Sequence, residues 1–109
     1  MTLPPKRKSE VRPERIKILA KPFKVEFKDG EPLEKGDMGN CDTEAQTITI
    51  RPGQPLENEQ DSVLHEVLHA VSDYMEINLR EGQVTKLATG LLAVLKENPR
   101  FVSYLRRKN

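Results

Sequence analysis

This sequence has little cysteine, few aromatic residues and only two histidines, and each shortage narrows the possibilities. Its single cysteine, Cys41, excludes a disulfide within the chain and is typical of a reducing compartment. There is no tryptophan and aromatic residues make up 5% of the chain, so the core must be built mainly from aliphatic side chains. The histidines are His65 and His69, so any site that needs imidazole must use this pair.

Long hydrophobic runs are missing as well. No stretch is long and apolar enough to cross a bilayer, and the polar, basic residues 1–11 do not resemble a signal peptide. The formal net charge of +1 gives no overall attraction to nucleic acid or to a membrane surface. We therefore expect a cytoplasmic protein that does not bind membranes. Basic residues cluster at 6–8 and 106–108, either as solvated chain ends or as contacts to nucleic acid.

The length of the chain, 109 residues, suits one small domain with a modest core and an open site. Residues 1–13 are basic and contain three prolines, so we expect a disordered or loosely attached arm there. The single folded domain then spans residues 14–109.

Alternating apolar and polar residues predict strands in the first half of the domain. Residues 16–27 alternate with an interruption at Pro22, and residues 46–51 alternate again until Pro52. The second of these strands has the composition of an exposed edge strand. Between them, residues 29–44 are rich in glycine, aspartate and asparagine, which predicts a long loop of the kind that often has a function.

Helical periodicity begins near Leu56. Apolar residues at helical spacing predict one helix up to about Asn78, a second over residues 80–97 and a short third over residues 100–107. Pro99 stops the second helix, because proline disfavours helix in the residue before it. Strands followed by helices indicate an α+β fold, with a small antiparallel or mixed sheet of about three strands preceding the histidine helix and one or two further helices.

The first of these helices carries the motif His65-Glu66-Val67-Leu68-His69. Residues four apart on a helix point from one face, so both imidazoles can bind one metal ion. Glu66 lies about 100° further round and can reach a water molecule without being a ligand. This HExxH pattern is typical of zinc hydrolases, in which two histidines bind Zn²⁺ and the glutamate is the general base. Two histidines with ordinary structural roles are the alternative.

A catalytic zinc site needs a third protein ligand and an open position for water. Asp73 follows His69 by one turn, so three side chains in a row on one helix would have to converge on one ion. We expect Asp73 instead to orient a histidine from the second layer of the site. Glu76 is more poorly placed. Glu81 opens the next helix and can approach from another direction, although it can also be an ordinary first-turn acid.

The motif, followed by Glu81-Gly82-Gln83-Val84-Thr85-Lys86-Leu87-Ala88, resembles the minimal gluzincin metallopeptidases of the ImmA/IrrE-like and SprT-like kinds, which include small versions from phages and mobile elements. The resemblance covers residues 36–99. It implies a zincin-like fold, zinc, peptidase activity, Glu81 as the third ligand and residues 46–51 as the edge strand. A phage-encoded member would act in the host cytoplasm.

The expected function is therefore zinc-dependent hydrolysis of peptide bonds through a metal-activated water, with Glu66 as the general base and His65, His69 and Glu81 as ligands. An extended peptide or protein substrate would pair with the edge strand at Thr47, Ile48 and Thr49. Candidates for a further oxyanion donor are Tyr74, Tyr104 and Arg80. The alternative function is a non-catalytic, metal-stabilised binding module, with nucleic acid bound through the basic ends.

Overall fold

Most of the strands and helices that the hydrophobic patterns predict are present in the structure. The computed structural model describes residues 12–108, in which four strands precede three helices. The strands are β1 (Arg15–Ile18), β2 (Lys21–Phe27), β3 (Gly39–Asp42) and β4 (Thr47–Ile50), and the helices are α1 (Leu56–Tyr74), α2 (Glu81–Glu97) and α3 (Pro99–Leu105). The predicted α+β class is confirmed.

The sheet is mixed and has four strands in the order β1-β2-β4-β3. β2 and β4 pair in parallel, whereas the two outer pairs are antiparallel. The additional strand, β3, lies within residues 29–44, where a loop was expected. Its four residues adopt extended backbone because β4 supplies a partner for each of them, from Gly39 opposite Ile50 to Asp42 opposite Thr47.

The prediction that Thr47, Ile48 and Thr49 form an exposed edge strand is wrong. β4 lies between β2 and β3, so its backbone groups are already engaged on both sides. Ile48, for example, is paired with Val25 on one side and Cys41 on the other, and its side chain is fully buried. The edge next to the histidine helix is β3.

The break between the first two strands falls at Leu19 and Ala20 rather than at Pro22. Both residues adopt positive φ angles, 49° and 70°, and form the two-residue turn of a hairpin. Pro22 stays within β2, opposite Lys17. It precedes the part of β2 that pairs with β4, which begins at Lys24, so its missing N–H leaves that interior pairing intact.

The core lies between one face of the sheet and α1. Phe23, Ile48 and Ile50 are fully buried, and they form one cluster with Ala70 of α1. Partly buried side chains of α1 pack around this cluster: Val63, Val67, Val71 and Tyr74. A different face of α1 carries His65 and His69 and borders a groove.

The predicted basic arm, residues 1–13, lies outside the described residues except for its last two. Arg12 is held against α1, because its Nη2 lies 2.6 Å from Oε1 of the buried Glu59 and its Nε donates to Oε2 at 3.2 Å. Its guanidinium also lies 4.7 Å from the centre of the Phe27 ring. Across residues 12–108, none of the helices combines the length and the apolar character needed to cross a membrane.

Candidate metal centre

The two histidines of α1 point from one face of the helix, as their spacing predicts. Nε2 of His65 lies 3.1 Å from Nε2 of His69, and the ring centres are 4.8 Å apart. The His65 side chain is 18% exposed and that of His69 is 31% exposed, so both remain accessible from the groove. Two imidazole nitrogens at this separation can bind the same cation.

Glu81 brings a third donor to the pair. Its Oε1 lies 2.6 Å from Nε2 of His65 and its Oε2 lies 2.8 Å from Nε2 of His69. Within the described residues these three side chains form a group whose ligand atoms all lie within 4.8 Å of one another, and such a group could hold a metal ion. Asp73 and Glu76, the other acids considered from the sequence, are not in this group.

The connection between the two helices explains how Glu81 reaches the histidines. Residues 75–80 turn back along α1, helped by positive φ angles at Glu76 and Asn78 of 54° and 61°. The backbone N–H of Leu79 donates to Oγ of Ser72 at 2.9 Å, which ties the end of the connection to the last turns of α1. α2 therefore begins beside the histidines instead of beyond the end of α1.

The donor set suits a divalent transition metal. Two imidazoles and one carboxylate are the ligands of many catalytic zinc sites. With metal–ligand bonds of about 2.0–2.1 Å in a tetrahedral site, donor atoms lie roughly 3.3 Å apart. The separations here are between 2.6 and 3.1 Å, so the side chains need to move apart by roughly 0.2 to 0.7 Å to accept an ion.

Glu66 is the most buried acid at the site. Its side chain faces the groove, the residue is 7% exposed, and no hydrogen bond or ion pair engages its carboxylate within residues 12–108. Burial raises the pKa of Glu66 to about 7, and the negative charges of Glu81 and Asp37 add to the increase. A carboxylate with such a pKa can both accept and return a proton near neutral pH.

Gly39, the first residue of β3, makes room for this carboxylate. A Cβ atom at Gly39 would lie 2.9 Å from Oε2 of Glu66 and 3.1 Å from its Cγ. Only glycine therefore lets the strand pass so close to Glu66 without displacing it. Sequence reasoning missed this role because Gly39 stands in a stretch with the composition of a loop.

β3 and α1 form the walls of an open groove of about 500 Å³ that contains the three possible ligands and Glu66. β3 pairs only with β4, so its other edge is unpaired within the described sheet. Asn40, Cys41 and Thr43 line the groove beside the three possible ligands. Burial raises the pKa of the Cys41 thiol to about 12, with the nearby carboxylates of Glu66, Asp42 and Asp73 contributing.

The remaining residues predicted for the site occupy different places. Asp73 lines the groove and is exposed, with no hydrogen bond to a histidine in the described structure. The hydroxyl of Tyr74 donates to the backbone oxygen of Thr43 at 3.0 Å, and its ring packs edge-on against Phe23. Tyr74 thus stabilises the turn after β3. Tyr104 is 64% exposed on α3.

Two further acids, Asp37 and Asp61, contribute to the same groove and were not predicted from the sequence. They lie with His65, Glu66 and Glu81 around an adjoining hollow of about 320 Å³. The spacing of Asp61, four residues before His65, was a usable signal, whereas the position of Asp37 depends on the fold of the preceding loop.

Comparisons of this chain with protein-family models, with curated proteins and with solved structures found no match.

Proposed function

We propose that this protein is a zinc-dependent metallopeptidase of zincin-like architecture that hydrolyses peptide bonds with Glu66 as its general base. The observation that carries the proposal is the convergence of His65, His69 and Glu81 from two helices beside an acid that no other described group engages. The resemblance of the motif region to minimal gluzincins supports the same assignment.

Zinc bound by these three side chains would supply Lewis-acid chemistry, lowering the pKa of water and polarising a carbonyl group. Glu66 takes a proton from the water that attacks the scissile carbonyl carbon. It then returns that proton to the amine that leaves. Burial of Glu66 favours the proton uptake, since it raises the pKa of this carboxyl above the ordinary value for glutamate.

The unpaired edge of β3 provides a place for the substrate. An extended peptide can add to a sheet edge through main-chain hydrogen bonds, with its side chains alternating between the two faces. The strand lies beside α1, and Gly39 lies directly against Glu66. A peptide bound along Asn40 and Cys41 therefore has a carbonyl group within reach of the metal-binding group. β3 replaces the edge originally expected at residues 47–49.

The proposal is tested by measuring zinc content and peptide hydrolysis in parallel. We expect about one zinc per chain in the wild-type protein and severe loss of zinc in His69→Ala and Glu81→Ala, because each removes a ligand. Glu97→Ala, at the other end of α2, is the matched control and should keep its zinc. Retention of zinc by Glu81→Ala would move the third-ligand role to another residue.

The substrate is a mixture of peptides made by digesting a denatured protein. Hydrolysis is measured by counting the new amino termini by mass spectrometry. Glu66→Gln should keep zinc and abolish cleavage, since it preserves the shape of the side chain and removes the base. Equal cleavage by the wild type and Glu66→Gln would refute the mechanism. Zinc binding without cleavage of any peptide would favour a metal-stabilised binding module instead.

A further inference from the structure

The groove around the candidate metal centre is lined by acids at both ends. Five carboxylates face it or its adjoining hollow: Asp37, Asp61, Glu66, Asp73 and Glu81. Among residues 12–108, no lysine or arginine lines either space. None of the described ion pairs joins a lysine or arginine to these five acids.

This local charge is not a property of the whole protein. The chain has 18 basic and 17 acidic residues, so its formal net charge is +1. Glu66 is left out of the charge count, because the proposed mechanism has it take up and release a proton. A divalent cation cancels two of the four remaining formal negative charges and leaves two. The groove thus remains negative when the metal is bound, while the protein as a whole is close to neutral.

Two of these acids, Asp61 and Asp73, flank the histidines at regular spacing along α1. Asp61, His65, His69 and Asp73 follow one another at intervals of four residues, which places a carboxylate one helical turn, about 6 Å, beyond each histidine. Asp61 and Asp73 are twelve residues apart, which is about 18 Å along the helix axis. In an extended peptide every second side chain points to the same face and each residue advances about 3.3 Å, so residues four positions apart share a face and lie about 13 Å apart. Two long lysine or arginine side chains can cover the remaining distance. Asp37 reinforces the end that contains Asp61, since both line the same hollow.

We propose that the groove selects peptide segments with two lysine or arginine residues four positions apart, one on each side of the scissile bond. A cationic side chain on one side meets Asp61 and Asp37, and one on the other side meets Asp73, while the backbone lies along β3. The inference rests on the proposed function, because it places the scissile bond at the metal-binding group.

Binding and cleavage must be measured separately, so that this inference can fail without the proposed function and the reverse. The binding probe is a fluorescein-labelled peptide with lysine at the two positions, compared with otherwise identical peptides carrying glutamine or glutamate there. Zinc-loaded Glu66→Gln is used, since it should bind peptides without cutting them. Fluorescence anisotropy gives the dissociation constants at low and high salt.

We expect the lysine peptide to bind about tenfold more tightly than the glutamine peptide, because two exposed ion pairs are gained. The glutamate peptide should bind most weakly, and high salt should reduce the differences. Asp73→Asn, made in the Glu66→Gln background, should reduce the preference for lysine on one side of the peptide only. Glu97→Gln in the same background removes a charge at the far end of α2 and should not change the preference.

Equal binding of the three peptides, including no measurable binding of any, would overturn the inference. So would a preference that Asp73→Asn and Asp61→Asn both leave intact. Wild-type cleavage of the three peptides at equal rates would retain the peptidase and reject the charge selectivity. Salt-sensitive selection of the lysine peptide without cleavage by the wild type would retain the selectivity and reject the peptidase.

Discussion

The buried carboxylate of Glu66 should make the metal-free protein less stable as the pH rises. Its pKa is raised from 4.5 to about 7 in the folded protein, so the folded state holds a proton that the unfolded state has already lost between these values. The cost is absent below about pH 4.5, grows through the window and is complete above about pH 7. Glu66→Gln has nearly the same shape and cannot ionise, so it escapes this cost.

The size of the effect follows from the shift. A change of about 2.5 pKa units corresponds to roughly 3 kcal/mol, since one unit is about 1.4 kcal/mol. Allowing for partial ionisation at the lower pH, Glu66→Gln should gain about 2 kcal/mol relative to the wild type between pH 5 and pH 8. The difference between the two proteins isolates Glu66, because every other titratable group is common to both.

Urea-induced unfolding followed by circular dichroism, in the presence of a chelator and at several pH values between 5 and 8, measures this gain. Glu97→Gln is the control, because it removes an exposed acid and should track the wild type. A gain in Glu66→Gln that is the same at pH 5 and pH 8, or a loss of stability at pH 8, would refute the reasoning. Such a result would mean that ionising Glu66 in the folded protein carries no free-energy cost.

Three further substitutions test other parts of the structure. Gly39→Ala should lower peptide hydrolysis at least tenfold while zinc is retained, because the new Cβ would lie 2.9 Å from Oε2 of Glu66; unchanged hydrolysis would contradict this close approach. Replacing Leu19 and Ala20 with Asn-Gly should raise the free energy of unfolding by about 1–2 kcal/mol, since both original residues adopt left-handed φ angles. Unfolding by denaturant measures this change. Arg12→Met should cost about 2 kcal/mol in the same assay, because a buried carboxylate of α1 loses its cation, and an unchanged midpoint would show that the pair contributes nothing.

The helices could be predicted from sequence because their signals are local. Helical periodicity and the Asn98-Pro99 stop locate α2 to within a residue, and the spacing of His65 and His69 fixes their shared face. The predicted end of α1 was a few residues late, because Glu76 and Asn78 already adopt left-handed conformations.

The strand pairings could not be predicted, because they depend on the tertiary arrangement. Residues 39–42 read Gly-Asn-Cys-Asp, a composition typical of turns, yet they form β3 because β4 offers backbone partners. Residues 47–50 looked like an edge strand, with threonines and isoleucines alternating. They became an interior strand once β3 paired beyond them. The pairing of β3 with β4 also forms one wall of the groove.

Glu81, the third possible metal ligand, could not be singled out from the sequence. Its position depends on the path of residues 75–80, which positive φ angles and the Ser72 hydroxyl direct back along α1. No periodicity reports that path. The sequence could therefore offer Glu81 as one of several acids, and only the folded connection distinguishes it from Asp73 and Glu76.

The three possible ligands are shared between two helices, and α2 buries few of its own side chains. Of its 17 residues only Val84 and Ala88 are buried. An ion held by His65, His69 and Glu81 would clamp α2 to α1 and, at a free concentration one hundred times its dissociation constant, add about 2.7 kcal/mol to the stability of the folded state. The supply of metal would then set how often α2 detaches. Cellular lifetime, through degradation of the opened chain, would become a readout of metal availability.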